Sequence, residues 1–344
     1  SALNTAQVVA LTTAQAAVLT TTQAVGMNSA QVGALETRDL VKLMTGSVQA
    51  IRTTAIAGLS DTQLSALNTA QVVALTTAQA AVLTAAQAVG VNTAQAQMLE
   101  TSDLAKMTTA AFAALDTSVV ATLDATQVGA LTTAQVKALT ETQAAALTSV
   151  QTAGLTTSQT AGLETADLSA MTTAAFAGIV PDTVAALNSA QVSALMPAQV
   201  TALTTAQAVA MTTTQAVGIT AEQAAVMQGA DLAQMSTAAL NAMTVEAFEA
   251  INANDITSLS AAQVGALTTA QIKALTVGQS VVLTTVQTSG LTTAQTEGLE
   301  DEDLQQLGTT AFAAIQSDTV ATLSSTQVGA LTTAQVKALN TAQA

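Results

Sequence analysis

Leu131-Thr132-Thr133-Ala134-Gln135-Val136-Lys137-Ala138 is one copy of an eight-residue unit that repeats without a break along the chain. A large aliphatic residue stands at residue 3 and at every eighth residue after it, as far as Leu339. All 43 of these anchor positions hold Leu, Met, Ile or Val, and the 43 octads account for all 344 residues. A repeat of this kind determines the fold class. We number the anchor position 1 of its octad and the residues after it positions 2 to 8.

Positions 2 and 5 of the octad carry a helix-start signal. Position 2 is Thr, Ser, Asn or Asp in 32 of the 43 octads, and position 5 is Gln in 27. Thr-x-x-Gln is a capping box, in which the two side chains satisfy main-chain N–H groups at the start of a helix. Capping alone explains both residues. Stacked copies could also hydrogen-bond sideways, as amides do in stacked arrays, and both roles can hold together.

The period of eight excludes one long helix. Eight residues turn an α-helix through about 800°, which is about 80° beyond two full turns, so the anchors would spiral around a continuous helix. Coiled coils need a heptad repeat or an eleven-residue repeat. Helices as short as one octad are unstable alone and must pack on their neighbours, as in a solenoid. We therefore expect an all-α solenoid, or superhelix, with one short helix in each of 43 repeats. A β-solenoid with three octads per coil is the alternative.

A longer period of eight octads overlies the basic unit. Residues 65–84 are identical to residues 1–20, and Phe112, Phe176, Phe248 and Phe312 recur at spacings of eight, nine and eight octads. One extra octad, near residues 235–242, explains the longer spacing. We expect one continuous array over residues 1–344. The irregular segments at 181–182 and 252–255 are expected to move the helix cap one or two residues downstream, without a domain boundary.

Composition excludes several functions. The chain has no Cys, His, Trp or Tyr, which excludes disulfides and zinc sites of the Cys/His kind and leaves no histidine base for an enzyme. The net charge is −15 with seven basic residues, so no nucleic-acid partner is expected. Thr and Gln interrupt every apolar run, which argues against a membrane span. No signal peptide opens the sequence, and the octad phase is kept from Ala344 to Ser1, so we expect a segment of a longer protein.

Paired acidic residues are the one feature that resembles a binding site. An acidic octad recurs once in each long repeat, with positions 2 and 5 held by Glu36/Asp39, Glu100/Asp103, Glu164/Asp167, Gln228/Asp231 and Glu300/Asp303. Carboxylates three residues apart lie on one helix face, where they could contribute to a calcium site or simply favour the helix dipole. The candidate calcium ligands are Glu36, Asp39, Glu100, Asp103, Glu164, Asp167, Glu300, Asp301 and Asp303.

The octads resemble a known kind of tract. Leu-Thr-Thr-Ala-Gln units, together with acidic units such as Leu163-Glu164-Thr165-Ala166-Asp167-Leu168, are similar to the very long repeat tracts of giant secreted surface proteins of bacteria. Those proteins are labelled adhesins or haem-utilisation proteins. The resemblance covers the whole chain and implies secretion to the cell surface and a stalk, matrix or filament role. Haem has little support, because only Met remains as an iron ligand.

The sequence therefore predicts a structural extracellular element without catalysis. Its expected partner is itself, as an end-to-end or lateral homopolymer or through flanking repeats of a longer chain. The alternative function is a binding module that presents a Thr/Gln or acidic surface to calcium, a glycan or ice. No cofactor other than Ca²⁺ is expected.

Overall fold

The computed structural model describes residues 3–344, which form 42 short α-helices and no strand. The chain divides into two compact units, Ser1–Ile179 and Val180–Ala344. Each helix has four to six residues and begins in the same part of its octad. The all-α prediction is therefore confirmed, and the β-solenoid alternative is wrong for the described residues.

The capping box explains why a helix begins in most octads. In the Thr133–Lys137 helix, the Gln135 N–H donates to Thr132 Oγ1 (3.2 Å), and the Thr132 N–H donates to Gln135 Oε1 (2.8 Å). The helix ends one turn later because the next anchor returns to extended backbone, as at Leu131 (φ −59°, ψ 145°). Each octad is thus one helical turn or slightly more, followed by an extended anchor.

The first unit contains 22 helices. They are α1 Thr5–Val9, α2 Thr13–Ala17, α3 Thr21–Val25, α4 Ser29–Gly33, α5 Thr37–Leu40, α6 Thr45–Ala50, α7 Thr53–Ile56, α8 Asp61–Ala66, α9 Thr69–Val73, α10 Thr77–Ala80, α11 Ala85–Ala88, α12 Thr93–Ala96, α13 Thr101–Leu104, α14 Thr109–Ala113, α15 Thr117–Val120, α16 Ala125–Ala130, α17 Thr133–Lys137, α18 Glu141–Ala145, α19 Ser149–Thr152, α20 Thr157–Gly162, α21 Thr165–Ala170 and α22 Thr173–Gly178.

The second unit contains 20 helices. They are α23 Pro181–Val184, α24 Ser189–Ser193, α25 Pro197–Thr201, α26 Thr205–Val209, α27 Thr213–Ala216, α28 Ala221–Ala224, α29 Gly229–Leu232, α30 Thr237–Ala242, α31 Val245–Glu249, α32 Ala253–Ile256, α33 Ala261–Ala266, α34 Thr269–Lys273, α35 Val277–Val282, α36 Thr285–Thr288, α37 Thr293–Gly298, α38 Asp301–Gln306, α39 Thr309–Ala313, α40 Ser317–Val320, α41 Ser325–Ala330 and α42 Thr333–Ala338.

Each helix packs mainly on the third helix before it and the third helix after it. In the first unit this pairing runs from α1 with α4 to α19 with α22, and in the second from α23 with α26 to α39 with α42. One coil of the solenoid therefore contains three octads. We use the word column for a set of octads in one unit that are related by steps of three and so stack on one another.

The core of each unit is built from positions 1 and 6. Interior anchors such as Leu131 and interior position-6 residues such as Val136 are buried. The four phenylalanines occupy position 6 and are completely buried, as expected for residues that fill wider parts of the core. Positions 2 to 4 and 7 face outward in most octads, which leaves position 5 as the buried polar position.

Two details differ from the sequence-based expectations. The caps of the irregular segments are not displaced: Val180 and Asn252 are N-caps in the usual register, because Pro181 fits the first helical position and the Asn252 side chain accepts the Asn254 N–H. The last octad, from Leu339, forms a turn rather than a further helix, because only five residues follow its anchor.

Candidate functional site: the position-5 column

The buried glutamines at position 5 connect neighbouring coils. While its Oε1 caps its own helix, Gln135 donates from Nε2 to the carbonyls of Leu104 (2.6 Å) and Met107 (3.0 Å), which are 31 and 28 residues earlier. In the second unit, Gln295 donates in the same way to Val264 (2.8 Å) and Leu267 (2.7 Å). The Leu104 and Val264 carbonyls end their helices and also accept the N–H of the next anchor (3.2 and 3.1 Å). Within the described residues, no main-chain N–H donates to the anchor carbonyls of Met107 and Leu267.

One glutamine side chain therefore serves two helices. Its oxygen satisfies the start of its own helix, and its amide satisfies the end of a helix in the coil before. The sideways hydrogen bonds considered from the sequence do form, with main-chain carbonyls as their acceptors. Because a buried carbonyl without a donor costs about 1–3 kcal/mol, this amide is a principal link between coils.

Aspartate occupies position 5 in six octads, and five of these side chains are buried, one in each long repeat. Asp39, Asp103, Asp167, Asp231 and Asp303 are each at most 4% exposed. A carboxylate accepts hydrogen bonds but donates none, and the carbonyls at these sites are acceptors too. Both side-chain oxygens of Asp39 and the Oδ2 atoms of Asp103 and Asp167 are buried without a hydrogen-bond partner.

Burial raises the pKa of the carboxyl groups of Asp103, Asp167, Asp231 and Asp303. Burial and the neighbouring Glu164 and Glu141 charges raise the pKa of Asp167 from 3.8 to about 6. Burial also raises the pKa of Asp231 and, with the help of Glu100, that of Asp103. Protonation at these sites supplies an O–H donor in place of the missing amide, as well as removing the buried charge.

Asp303 differs from the other four because it has a hydroxyl partner. The Ser280 hydroxyl, 23 residues earlier, donates to Asp303 Oδ1 at 3.0 Å. The pKa of Asp303 is still raised, mainly by burial and further by Glu300 and Glu302, although the Ser280 bond works in the opposite direction. The corresponding residue is Ala16, Ala80, Ala144 or Ala208 for the other four aspartates.

The predicted calcium ligands fall into two different environments. In each pair the Asp is buried, whereas Glu100, Glu164 and Glu300 are exposed and Glu36 is half-buried. Glu36 forms an ion pair with Arg38, and Glu164 lies 3.7 Å from the Lys137 ammonium. Asp301 is half-buried at the start of α38.

These acids do not gather into a cage. Within residues 3–344, no group of three or more Asp, Glu, His or Cys side chains is arranged to hold a metal ion. Calcium needs six to eight oxygen ligands. The calcium site therefore remains a sequence-based prediction.

Asp231, whose octad has Gln228 at position 2, is not among the predicted calcium ligands. Asp231 lies at position 5 of its octad, as Asp39, Asp103, Asp167 and Asp303 do, and this shared position is the sequence signal that groups it with them. A cavity of about 20 Å³ lies beside Asp103 and is otherwise lined largely by aliphatic side chains, including Ala80, Leu99 and Met107. This volume admits one water molecule, too little for a small organic ligand.

The three-octad coil and the buried position-5 residues that link neighbouring coils define an all-α solenoid repeat protein. The ALTTAQ repeat model matches residues 97–133, 160–197, 248–285 and 312–344, and each matched segment contains one of the four phenylalanines. The comparison with curated proteins gave no match. No helix in residues 3–344 is both long enough and apolar enough to cross a membrane.

Proposed function

We propose that this chain is a structural, non-catalytic element of a secreted bacterial surface protein, acting as a stalk or as part of a filament. The observation that carries the proposal is the coil-to-coil link through position 5. Wherever position 5 is Gln, its amide satisfies an open anchor carbonyl of the coil before, so an array can be lengthened without changing its chemistry. Length adjustable in whole octads is useful for a spacer and is of no obvious use to an active site.

The character of the surface supports the same proposal. The outward positions are mostly Thr, Ala, Ser and Asn, and the acidic net charge of −15 is spread along the chain. Such a charge discourages non-specific association of neighbouring molecules. The resemblance to the Leu-Thr-Thr-Ala-Gln tracts of secreted surface proteins supplies the location, and the ALTTAQ repeat matches support the repeat character.

A length-scaling experiment tests the structural role. The chain and a double-length fusion, joined in octad phase, are compared by small-angle X-ray scattering at a concentration where each is monomeric. A solenoid spacer should nearly double its maximum dimension, because it grows by adding coils. An increase of the maximum dimension by only about 1.3-fold, as expected for a compact globule, would overturn the proposal. Antibody labelling of intact cells of the source bacterium tests the surface location.

A further inference from the structure

One interior interface between coils of the first unit has no hydrogen bond between its stacked octads. Residues 75–98 and residues 99–122 are consecutive coils, and position 5 of the second coil holds Asp103, Ala111 and Val119 in place of Gln. Within the described residues, the one hydrogen bond between these coils is local, from the Leu99 N–H to the Ala96 carbonyl, where the chain passes from one coil to the next. We call this interface the unlinked joint.

The joints on either side of the unlinked joint are linked through all three octads. Six buried glutamines donate from Nε2 to anchor carbonyls of the coil before their own, at 2.7–3.0 Å. They are Gln79, Gln87 and Gln95 before the unlinked joint and Gln127, Gln135 and Gln143 after it. At the unlinked joint itself, the anchor carbonyls of Leu75, Leu83 and Val91 receive no hydrogen bond within the described residues.

Two other parts of the first unit that lack glutamine have a substitute hydrogen bond. In residues 35–58 the Ser47 hydroxyl donates to the Leu19 carbonyl at 2.6 Å. Farther along the chain, the Thr152 hydroxyl donates to the Ala175 carbonyl, 23 residues later, at 2.7 Å. The unlinked joint has neither kind of bond, so it differs from these two sites as well as from the joints beside it.

Apolar packing across the unlinked joint is also thin. The Thr152 bond shows that position 6 of one octad lies beside position 5 of the third octad after it. By this rule, the position-6 residues beside Asp103, Ala111 and Val119 are all alanines, each at most 1% exposed: Ala80, Ala88 and Ala96. At the next joint they are Leu104, Phe112 and Val120. Smaller side chains offer fewer dispersion contacts across the joint.

The same joint contains a packing defect and an unpaired polar atom. Asp103 is 2% exposed, and its Oδ2 atom is buried without a hydrogen-bond partner. The cavity of about 20 Å³ beside it is lined from both coils, by Leu75 and Leu83 of the first and by Leu99 and Met107 of the second, among others. An interface with a void and an unpaired oxygen gains less free energy on closing than a fully packed one.

We propose that the unlinked joint is a built-in point of extension, at which the first unit opens under tension while the linked joints stay closed. This inference rests on the proposed role as a spacer. Local opening occurs where few hydrogen bonds and few contacts must be lost. Opening the next joint breaks six hydrogen bonds from Gln127, Gln135 and Gln143, and each shifts an opening equilibrium by about fivefold. Stacked octads at the unlinked joint lose apolar contacts alone.

Single cysteines can report the opening of each joint, because the chain has no Cys of its own. Ala88→Cys places a thiol beside Ala111 in the unlinked joint, and Val120→Cys places one beside Gln143 in the linked joint after it. Both sites are closed in the folded chain, at 0% and 1% exposure. In the folded full-length protein, a thiol-reactive dye should label Ala88→Cys at least about tenfold faster than Val120→Cys, because the linked joint must break hydrogen bonds to open.

Exchanging the position-5 residues of the two joints should exchange their behaviour. D103Q/A111Q/V119Q places glutamines 28 residues after Leu75, Leu83 and Val91, the spacing of interior links, and should slow labelling of Ala88→Cys to the rate of Val120→Cys. The matched control S102Q/A110Q/S118Q adds three glutamines at exposed positions of the same octads and should leave labelling fast. Conversely, Q127D/Q135A/Q143V should speed labelling of Val120→Cys.

Pulling the full-length chain by its two ends in optical tweezers tests the response to tension. The extension step at lowest force should move to higher force in D103Q/A111Q/V119Q and stay in place in S102Q/A110Q/S118Q. Equal labelling of the two reporters would overturn the proposal, as would fast labelling of Ala88→Cys that the added glutamines leave unchanged. If the glutamine variant fails to fold by circular dichroism, unchanged labelling of Val120→Cys in Q127D/Q135A/Q143V overturns it instead. Length scaling is measured without tension, so the structural role stands or falls separately.

Discussion

At the scale of one residue, position 5 decides whether two coils satisfy each other. Glutamine brings an acceptor and two donors to a place that needs both, whereas ionised aspartate brings acceptors alone. The chain nevertheless buries Asp there at residues 39, 103, 167, 231 and 303, and the first three have buried side-chain oxygens without a hydrogen-bond partner. Asp103 and Asp167, whose pKa values are raised by burial, are therefore weak points at neutral pH and fit better when protonated.

This argument predicts that Asp167→Asn stabilises the protein at pH 7. The folded-state pKa of Asp167 is raised from 3.8 to about 6, so the wild type keeps the full contribution of this group below pH 3.8 and loses it as pH rises through 6. The loss corresponds to at most about 3 kcal/mol, and to less where solvent screens the charge. Chemical unfolding from acid to neutral pH should show the variant and wild-type chains converging in acid and separating toward pH 7.

Asp116→Asn is the matched control for that titration. Hydrogen bonds from the Ser118 hydroxyl and N–H lower the pKa of Asp116, so its stabilising effect is present above the unfolded pKa and is lost in acid. Its difference from wild type should grow in the opposite pH direction. The same pH trend in both variants would show that net charge, and not the burial of Asp167, controls the titration.

Substitutions at two glycines, Gly154 and Gly308, are expected to change the stability of the protein in opposite directions. A Cβ on Gly154 would lie 2.2 Å from the Ala125 carbonyl oxygen of the neighbouring coil, so Gly154→Ala should destabilise by about 1–3 kcal/mol. Gly308 is the uncapped start of α39, and a Cβ added there would have nothing within 4 Å, so Gly308→Thr should stabilise by a few tenths of a kcal/mol or more. Thermal melts of both variants check the pair, and similar shifts would contradict the coil contacts.

At the scale of the element, most of the helix pattern follows from sequence, and the stacking of helices does not. The capping residues Thr132 and Gln135 and the period of eight predict where each helix begins. Nothing within one octad sets the angle to the next, so the coil of three octads depends on packing between distant segments. The sequence does carry one signal for this stacking, the side-chain NH₂ group of each position-5 Gln. If that group is buried, it requires acceptors outside its own octad, because the Gln oxygen alone serves the local cap.

The candidate site was predictable to a similar degree. Recurrence of the acidic octads identified Asp39, Asp103, Asp167 and Asp303, but the sequence placed each with its Glu partner on one open face. Burial of the Asp depends on which coil covers it, which is again long-range packing. The role of Ser280 could not be predicted, because its 23-residue separation from Asp303 has meaning only once three octads form a coil.

The two ends of one capping box can be separated by substitution. Thr132→Val removes only the side-chain cap and should cost about 1 kcal/mol. Gln135→Glu keeps the local cap and removes the donors to Leu104 and Met107, leaving a buried charge against two carbonyls, so it should cost more, about 2–4 kcal/mol. Urea unfolding of both variants measures this order. A costlier Thr132→Val would mean that local capping outweighs the link between coils.

At the scale of the whole molecule, the long repeat and the coil have different lengths. A period of eight octads is two coils and two octads, so Asp39, Asp103 and Asp167 fall in three different columns of the first unit. In the second unit the extra octad separates Asp231 from Asp303 by nine octads, or three whole coils, and both lie in one column. The chain therefore tolerates a shift of column, because every column uses the same anchors and position-5 contacts.

That tolerance predicts the outcome of three deletions that begin at Leu147. Removing one octad, Leu147 to Gly154, shifts all later octads by one column, and removing three octads keeps the columns. Both products should retain helical circular dichroism and a cooperative melt, because each remaining octad still meets the third octad along the chain. Removing half an octad, residues 147–150, breaks the phase, so anchors face position-5 residues across the coil boundary and later helices should become sensitive to protease.

The comparison of the three deletions also distinguishes the octad from the coil as the unit of structure. If the one-octad deletion failed while the three-octad deletion folded, the complete coil would be that unit, and the eight-octad spacings of Asp39, Asp103 and Asp167 would need compensating changes nearby. If all three deletions behaved alike, neither the octad nor the coil would control packing. We expect the octad to be the unit, because the link through position 5 depends only on which position of the octad faces the neighbouring coil.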